Sequence, residues 1–374
     1  MTFRERYLET LLFGAPDRIP FMPGGPREST LRAWRAQGLP ADANWYDVLL
    51  KEIGLPKMEG GLEWAGVSFQ MIPIFEEKVL EHKDGHYIVR DWMGAITEIS
   101  DEFDYTYIRA AKDFVTRKWH KFPVETREDW EAMKERFNPD TPERIPADSA
   151  ERAAAARARG GGLTVQVNGP FWQLREWCGF EGLCMLCIEN PEFVEEMAAF
   201  WTDFVSCVLA RFFAAGGELL RLGISEDMAY KAHSMISPAM TRRFLMPSYV
   251  QWVAQVKAAG CPIVDMDSDG CIEELIPIWI ESGINVCDPI EVAAYNDIVE
   301  FRRRFGKQIG YTGGVDKRAM AAGGEVMRAE LARIAPVVKD GGYIPGCDHG
   351  VPPDISWPNF IDYSRELAKM CGWT

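Results

Sequence analysis

The chain of 374 residues has a length typical of one large α/β barrel with insertions, and 47% hydrophobic residues are enough for a large core. Its formal charge of −15 disfavours nonspecific binding to nucleic acid or to anionic membranes. No apolar run approaches the roughly 20 residues that a membrane span needs. We therefore expect no nucleic-acid or membrane partner, and a small molecule or another protein instead.

The N-terminal stretch and the cysteines indicate a cellular compartment. The first twenty residues are charged and amphipathic and are broken by Pro16, unlike a secretory signal. The nine cysteines have neither the spacing of a disulfide framework nor that of paired zinc knuckles. These features predict a cytoplasmic protein with reduced thiols.

The first half of the chain predicts one early strand followed by an insertion. The run "DRIPFMPGG", residues 17–25, is the expected first strand. Residues 78–99 contain β-rich runs separated by Asp84-Gly85 and Met93-Gly94, a pattern typical of a meander of short strands. From about 101 to 158 the pattern becomes that of charged helices. We interpret residues 78–158 as an insertion within one domain that covers residues 1–374.

After residue 160 the sequence alternates short β-like runs with helices of ten or more residues. The β-like runs are "LTVQVNG", "ELLRLGISEDM", "CPIVDMDSDG", "INVCDPIE", "QIGYTGGVD" and "GGYIPGCDHG". Repeated βα units predict a parallel sheet, and so many in succession favour closure into a single (β/α)8 TIM barrel.

Active sites of such barrels are built from loops at the carboxyl ends of the strands. The polar residues that directly follow the β-like runs are therefore the candidates: Arg27, Asn168, Glu226, Asp227, Asp265, Asp267, Asp269, Glu291, Asp316, Cys347 and His349.

The segment "VDMDSDG" is the most informative local pattern. Asp265 and Asp267 are two apart on a predicted strand, so their side chains face the same way. Two such carboxylates are costly unless they are protonated, metal-bound or paired with a cation. An EF-hand is excluded because Ile276 occupies the loop position of the distal glutamate. Helix capping remains an alternative role for Glu226, Asp227 and Glu291.

The segment "CDHG" follows the last β-like run and contains one of the five histidines. Cys347 and His349 are also two apart, so we expect both to project into the mouth that the carboxylates line. A lone histidine is often structural, but these neighbours favour a catalytic or ligand role for His349.

Taken along its length, the chain resembles the uroporphyrinogen decarboxylase superfamily, within it the branch of corrinoid-dependent methyltransferases. The resemblance lies in the order and spacing of five segments: "GAPDRIPFMPGG", "VNGPFWQLREW", "SEDMAYKAHSMISPAMTRRFLMPSY", "GGVDKRAM" and "CDHGVPPDISWPNF". It implies a single (β/α)8 barrel.

Two departures from the family patterns bear on activity. Decarboxylases of the family carry an arginine-rich loop after the first strand, of which only Arg27 is present here. Methyltransferases of the family that act on thiols bind zinc through His-x-Cys and a later Cys. Here Asp265-x-Asp267 occupies the first position, and Cys347 or His349 the second. The resemblance thus implies either a metal site formed by Asp265, Asp267 and Cys347, with zinc as one candidate, or a metal-free acidic site.

The resemblance implies a methyltransferase that moves a methyl group between a small molecule and the cobalt of a corrinoid. The small molecule would be an aromatic methyl ether, a methylamine or tetrahydrofolate. The corrinoid would be held by a separate carrier protein, because the D-x-H-x-x-G pattern of corrinoid domains is absent from this chain. The expected catalytic residues are His349, Asp267 and Glu226, and the expected substrate-binding residues are Arg27, Asn168, Trp172, Asp227 and Glu291. The alternatives are a lyase that decarboxylates a tetrapyrrole and a barrel that only binds a ligand.

Overall fold

A computed structural model describes residues 1–106 and 116–374 of the chain. The strands are β1 (Leu62–Trp64), β2 (Lys78–Lys83), β3 (His86–Arg90), β4 (Ile96–Ser100), β5 (Arg117–Lys121), β6 (Gly162–Asn168), β7 (Arg221–Ser225), β8 (Ile263–Asp267), β9 (Val286–Asp288), β10 (Gly310–Val315) and β11 (Tyr343–Cys347). The helices are α1 (Phe3–Leu11), α2 (Glu28–Ala36), α3 (Trp45–Glu52), α4 (Arg127–Lys134), α5 (Ser149–Ala158), α6 (Pro170–Cys178), α7 (Phe180–Glu189), α8 (Pro191–Ala214), α9 (Pro238–Met240), α10 (Met246–Ala258), α11 (Ile276–Glu281), α12 (Ile298–Phe305), α13 (Lys317–Ala322), α14 (Gly324–Asp340) and α15 (Trp357–Met370).

The main sheet has seven parallel strands in the order β1-β6-β7-β8-β9-β10-β11. Each new strand is added beside the previous one, so the carboxyl ends of all seven lie on one edge of a curled sheet. The parallel α/β prediction and six of its strands are confirmed. The short strand β1 is a seventh member, which the sequence pattern did not reveal.

The described residues do not form a closed eight-stranded barrel, so the prediction of closure is wrong in this respect. The expected first strand, residues 17–25, follows β11 without forming a ladder: the amide of Cys347 donates to the carbonyl of Pro23 at 3.3 Å, and that of Val351 to Gly25 at 2.9 Å. The physical reason is the prolines at positions 20, 23 and 26, which have no N–H to donate.

Between β1 and β6 the chain builds a second, antiparallel sheet in the order β2-β3-β4-β5. Its first three strands confirm the predicted meander. The expectation of charged helices from 101 to 158 is only partly correct, because residues 117–121 form β5 and pair with β4. Helices α4 and α5 occupy the later part of that segment, and residues 107–115 lie outside the described residues.

Helix α8 packs across the core and buries Met197, Trp201, Val205 and Phe212. By length and composition, α8 is the one helix among the described residues that could cross a membrane, a candidate that the sequence pattern did not lead us to expect. Half of its apolar window is buried inside the fold, as in the core helix of a globular protein.

The amino-terminal end of the curled sheet is closed by α1. Tyr7 and Leu11 of this helix pack against Ile263, Val286 and Ile344, at the beginnings of their strands. Thr2 and Glu5 form a capping box at the start of α1, which fixes the helix in place. The concave interior is therefore open toward the carboxyl ends of the strands and closed below.

Just above α1 the interior contains a buried ion pair. The guanidinium of Arg221 donates to Asp265 Oδ2 from Nε at 2.8 Å and from Nη2 at 2.5 Å. Its Nη1 donates to Thr164 Oγ1 and Gln166 Oε1 at 3.3 and 3.1 Å. Asp265 is only 2% exposed, so the arginine supplies the charge that this carboxylate requires.

We predict that Arg221→Met lowers the free energy of unfolding by about 3–5 kcal/mol, because it leaves Asp265 buried without a cation. The double variant Arg221→Met/Asp265→Leu should recover most of this loss. Denaturant titration measures both. Arg303→Met is the control, since its pair with Glu300 lies at the surface and is worth about 1 kcal/mol or less. An Arg221→Met loss as small as that of the control would contradict a structural role for the pair.

Candidate functional site

A histidine, a lysine and two carboxylates meet at the carboxyl-end mouth of the sheet. His349 Nε2 lies 2.9 Å from Asp269 Oδ1, and Lys317 Nζ lies 3.1 Å from His349 Nδ1 and 3.7 Å from Glu291 Oε1. Within the described part of the chain, Asp269, Glu291 and His349 are the one group of potential metal ligands whose atoms all lie within 4.8 Å of one another. We call these three residues the mouth triad.

Backbone contacts hold the loops of the mouth triad together. The amide of Gly270 donates to Glu291 Oε2 at 3.0 Å, and the amide of Asp269 donates to Asp227 Oδ1 at 3.2 Å. Asp227 and Ile290 adopt φ values of +40° and +58°, in the left-handed region that residues other than glycine rarely occupy. Backbone strain of this kind persists where surrounding contacts hold the backbone in place, and it is common at functional sites.

The protonation of His349 follows from its two partners. An ammonium group can only donate, so Lys317 requires a lone pair on Nδ1 and leaves the imidazole proton on Nε2, directed at Asp269. Burial opposes the imidazolium form and Lys317 adds to that effect. The hydrogen bond and the charge of Asp269 outweigh both and hold the pKa of His349 above its ordinary value.

Asp348 adds a further carboxyl group beneath the imidazole. It is fully buried, its Oδ2 accepts from the amide of Val292 at 3.0 Å, and its Oδ1 has no hydrogen-bond partner. Oδ1 lies 4.0 Å from His349 Nδ1. Burial raises the pKa of Asp348 above the ordinary aspartate value.

Asp267 and Asp288 lie deeper, side by side at the ends of β8 and β9. Asp267 Oδ2 accepts from Ser225 Oγ at 3.0 Å, and Asp288 Oδ1 accepts from Thr312 Oγ1 at 2.5 Å. Burial and the neighbouring carboxylates raise the pKa of Asp267 to about 8; burial and Asp265 raise that of Asp288 to about 6. A proton is therefore retained on Asp267 at neutral pH.

Glu226 is fully buried behind the mouth. Its Oε1 accepts from the hydroxyl of Tyr249, and its Oε2 accepts from the amide of Trp172, in the first turn of α6, at 2.9 Å. Burial raises the pKa of Glu226 to about 8. Gly169 is required here, because a β-carbon would overlap the carboxyl group of Glu226. The carboxyl group of Glu226 therefore links β7, α6 and α10.

Two further predicted residues, Asn168 at the end of β6 and Trp172 on α6, share Glu176 as a hydrogen-bond partner. Trp172 Nε1 donates to Glu176 Oε1 at 2.8 Å, and Asn168 Nδ2 donates to Glu176 Oε2 at 3.3 Å. The guanidinium of Arg175 lies 5.0 Å from the centre of the Trp172 ring and donates to the carbonyl of Asp227 at 2.8 Å. Asn168 and Glu176 also line a cavity of about 290 Å³ between the two sheets.

The residues predicted as metal ligands are not brought together. Asp265 is bonded to Arg221, and its second oxygen is buried without a partner. Cys347 is buried behind Gly24, and burial raises the pKa of its thiol to about 12, which disfavours the thiolate that zinc would need. Arg27 lies next to Gly350, close to the mouth. A zinc–thiolate site therefore does not fit Asp265, Asp267 and Cys347, whereas the mouth triad provides one imidazole and two carboxylates.

Sequence reasoning missed Lys317, Asp288 and Tyr249. Lys317 directly follows the candidate Asp316, and Asp288 lies three positions before the candidate Glu291 in "DPIE", so both could have been found by extending the candidates to these neighbouring positions. Tyr249 lies inside α10, and no local pattern pairs it with Glu226.

Ionisable groups gathered at the carboxyl ends of parallel strands are the architecture of a barrel-type enzyme site. Residues 117–362, more than half of the chain, match the profile of the uroporphyrinogen decarboxylase (URO-D) family. The chain belongs to this family. A comparison with curated proteins gives no match.

Solved structures support the fold. A methyltransferase from Methanosarcina mazei is 13% identical, with 98% of each chain covered and a TM-score of 0.58, which shows a shared fold. A B12-independent methionine synthase from Shewanella sp. is 13% identical, over 59% of this chain and 65% of that one, with a TM-score of 0.35. A putative enzyme of the same description from Listeria monocytogenes is 11% identical, over 94% and 96%, with a TM-score of 0.34. The last two scores are too low to carry an argument.

We predict opposite shifts of the His349 pKa in two variants of the mouth. Asp269→Asn removes the anion that favours the imidazolium and should lower the pKa of His349; Lys317→Met removes a cation and should raise it. Histidine NMR titration of the chelator-treated protein measures both, with His349→Gln identifying the resonance. Asp101→Asn, which removes the partner of His82 in the antiparallel sheet, is the control and should leave His349 unchanged. Equal shifts in all three variants would exclude the described contacts.

Proposed function

We propose that this protein is an enzyme that transfers a methyl group between a small molecule and the cobalt of a corrinoid held by a separate carrier protein. Membership of the URO-D family and the fold shared with the methyltransferase from Methanosarcina mazei support an enzymatic barrel of this kind. The observation that carries the proposal is the mouth triad, which can hold a proton or a Lewis acid at the open end of the sheet.

The charge of the mouth favours methyl transfer over decarboxylation of a tetrapyrrole. The carboxyl groups at the ends of the strands include Asp227, Asp267, Asp269, Asp288, Glu291 and Asp348. Against them the mouth offers Arg27 and Lys317, and Lys317 is already engaged by His349 and Glu291. A substrate with eight carboxylates would be repelled by such a surface. The decarboxylase is therefore the less favoured alternative; the non-catalytic barrel is the other.

Transfer of a methyl group from oxygen or nitrogen requires an acid at the leaving atom. As the bond to the methyl carbon breaks, its electron pair stays on the heteroatom, which takes up a proton, and the pair for the new bond comes from cobalt(I). His349 holds a proton on Nε2 at the mouth, and Asp267 retains one below it. We assign proton donation to these two residues.

Other predicted residues have positioning or binding roles in this proposal. Glu226 fixes the first turn of α6 through the amide of Trp172, and Arg175 of the same helix donates to the carbonyl of Asp227. We assign substrate contacts to Trp172, Asp227 and Glu291 at the mouth. Asn168 and Arg27, which flank it on either side, complete the proposed binding surface.

The mouth triad has the donor set of a catalytic divalent metal site: one imidazole nitrogen and two carboxylates. Zinc or a similar ion held by Asp269, Glu291 and His349 would supply Lewis acidity to the leaving atom. Lys317 would then balance the charge of Glu291 from the outer side.

The corrinoid carrier would cover the carboxyl-end mouth, since α1 closes the opposite end of the interior. The corrinoid supplies the cobalt that accepts the methyl group. We place the reaction in the cytoplasm, in keeping with the reduced cysteines, all nine of which are free.

We predict that mixing the protein with a cob(I)alamin carrier and a methyl donor produces the absorbance of methylcobalamin. The donors to compare are an aromatic methyl ether, methylamines and methyltetrahydrofolate. Carbon dioxide release from uroporphyrinogen without methyl transfer would establish the decarboxylase alternative. Absence of both reactions across these substrates would favour the non-catalytic barrel. Demethylation of a donor with no corrinoid present would overturn the proposal.

We predict that His349→Ala and Asp267→Asn each lower turnover by about 10²-fold or more, as expected for loss of an acid–base group. Turnover of the wild type should fall as the pH rises through the raised pKa of Asp267, because the proton donor is then lost. His82→Ala is the matched control: it removes a histidine that also contacts an aspartate, at 2.8 Å from Asp101, but on the antiparallel sheet.

Metal analysis of the same variants separates the two versions of the site. Stoichiometric metal that is lost in His349→Ala and Glu291→Gln but kept in His82→Ala supports ligation by the mouth triad. Active protein without metal supports acid catalysis by His349 and Asp267 alone. Near wild-type turnover in both His349→Ala and Asp267→Asn would make these residues structural.

A further inference from the structure

A second opening leads into the interior from the side of the sheet. It is a cavity of about 1380 Å³ between residues 20–25 and residues 56–62, where the proline-rich segment follows β11 without pairing with β1. We call it the lateral cavity. It opens past the exposed residues Lys57 and Glu59 and ends at Asp288 and Thr312.

The deep end of the lateral cavity is rich in negative charge. Asp288 lines it directly, and Asp265 and Asp267 lie on the neighbouring strand β8, facing the same interior. Arg221 is the cation described among them, and it is bonded to one oxygen of Asp265. Asp265 Oδ1 is buried without a hydrogen-bond partner. One arginine thus faces three carboxyl groups, and a further positive charge would balance the excess negative charge.

The outer wall of the lateral cavity is aromatic. Trp45 and Tyr46 line it with ring centres 5.3 Å apart, and Phe21 packs 6.4 Å from Tyr46. Aromatic faces attract alkylated ammonium groups, and the same rings can pack against the apolar part of a ligand. Among the cations of the rim, Arg6 is paired with Asp17 and Arg159 with Glu63, and Lys57 is accompanied by Glu59 of the same segment, so the rim does not favour an anion.

We infer that the lateral cavity binds an organic cation, a methylated amine, with its nitrogen at Asp288 and its apolar groups against Trp45 and Tyr46. Asp288 ends β9 in register with Asp267, so the nitrogen would lie directly beneath the mouth. That the bound amine is the methyl donor rests on the proposed methyl transfer. That the cavity binds an organic cation rests only on the shape of the cavity and its charges.

Calorimetry with choline and with its neutral isostere 3,3-dimethylbutan-1-ol tests the inference on the full chain without corrinoid or turnover. We expect choline to bind at least tenfold more tightly than the alcohol. Equal binding of the two compounds would show a pocket that recognises apolar groups and not charge. No binding of either compound would show that the cavity is not a site for such ligands. Both outcomes overturn the inference. Absence of methyl transfer in the corrinoid assay would leave a positive binding result intact and refute only the proposed function.

Two variants locate the site. Gly61 lines the lateral cavity, and a β-carbon there meets no atom within 4 Å, so Gly61→Trp can fill the cavity without a clash at the backbone. Asp288→Asn removes the charge at its deep end. Each should weaken choline binding at least tenfold.

The matched control is Gly182→Trp on α7, where a β-carbon also has open space but does not line the cavity. It should bind choline like the wild type, and thermal melting verifies that all three variants are folded. Undiminished choline binding in folded Gly61→Trp or Asp288→Asn would place the site elsewhere and overturn the inference.

Discussion

The site depends on the crowding of carboxyl groups in one poorly solvated interior. Asp265 and Asp267 lie on β8, Asp288 ends the neighbouring strand β9, and a single guanidinium, that of Arg221, lies among them. Full ionisation of all three carboxyl groups would be costly, because one cation and little water are near to stabilise the negative charges. The interior therefore retains a proton, accepts a cation, or does each in turn, and both states are useful to an enzyme that assists a leaving group.

Closure of the amino-terminal end makes this crowding effective. Helix α1 covers the beginnings of the strands with Tyr7 and Leu11, so the carboxyl groups are shielded on that side except where the lateral cavity reaches Asp288. The raised pKa values of Asp267 and Asp288 follow mainly from this burial. At the other end, Asp269, Glu291 and His349 lie in a more open setting, with Asp269 44% exposed. The interior thus changes from a floor that is buried apart from the lateral cavity to a partly solvated mouth, which a partner can reach.

Much of the fold could be predicted because its βα units are locally encoded: six parallel strands and the meander follow from apolar runs and turn residues. The strand β1 has only three residues and could not be recognised by period. The segment 17–25 has the apolar content of a strand, but its prolines remove the donors that a ladder needs. In the site, the alternation rule correctly placed Asp265 and Asp267 on one face, yet which carboxylate pairs with Arg221 depends on contacts between β7 and β8 that no local pattern contains.

The prolines that prevent an eighth strand have a consequence for access. A closed barrel fills its interior with side chains and can be entered at its mouth. Here the chain from Pro20 to Gly25 follows β11 but leaves a gap toward β1, and that gap is the lateral cavity. A carrier protein seated on the mouth would cover His349 and Asp269 while leaving the side entrance free. Two reactants could then approach the same carboxyl groups from different directions, so neither would have to leave before the other arrives.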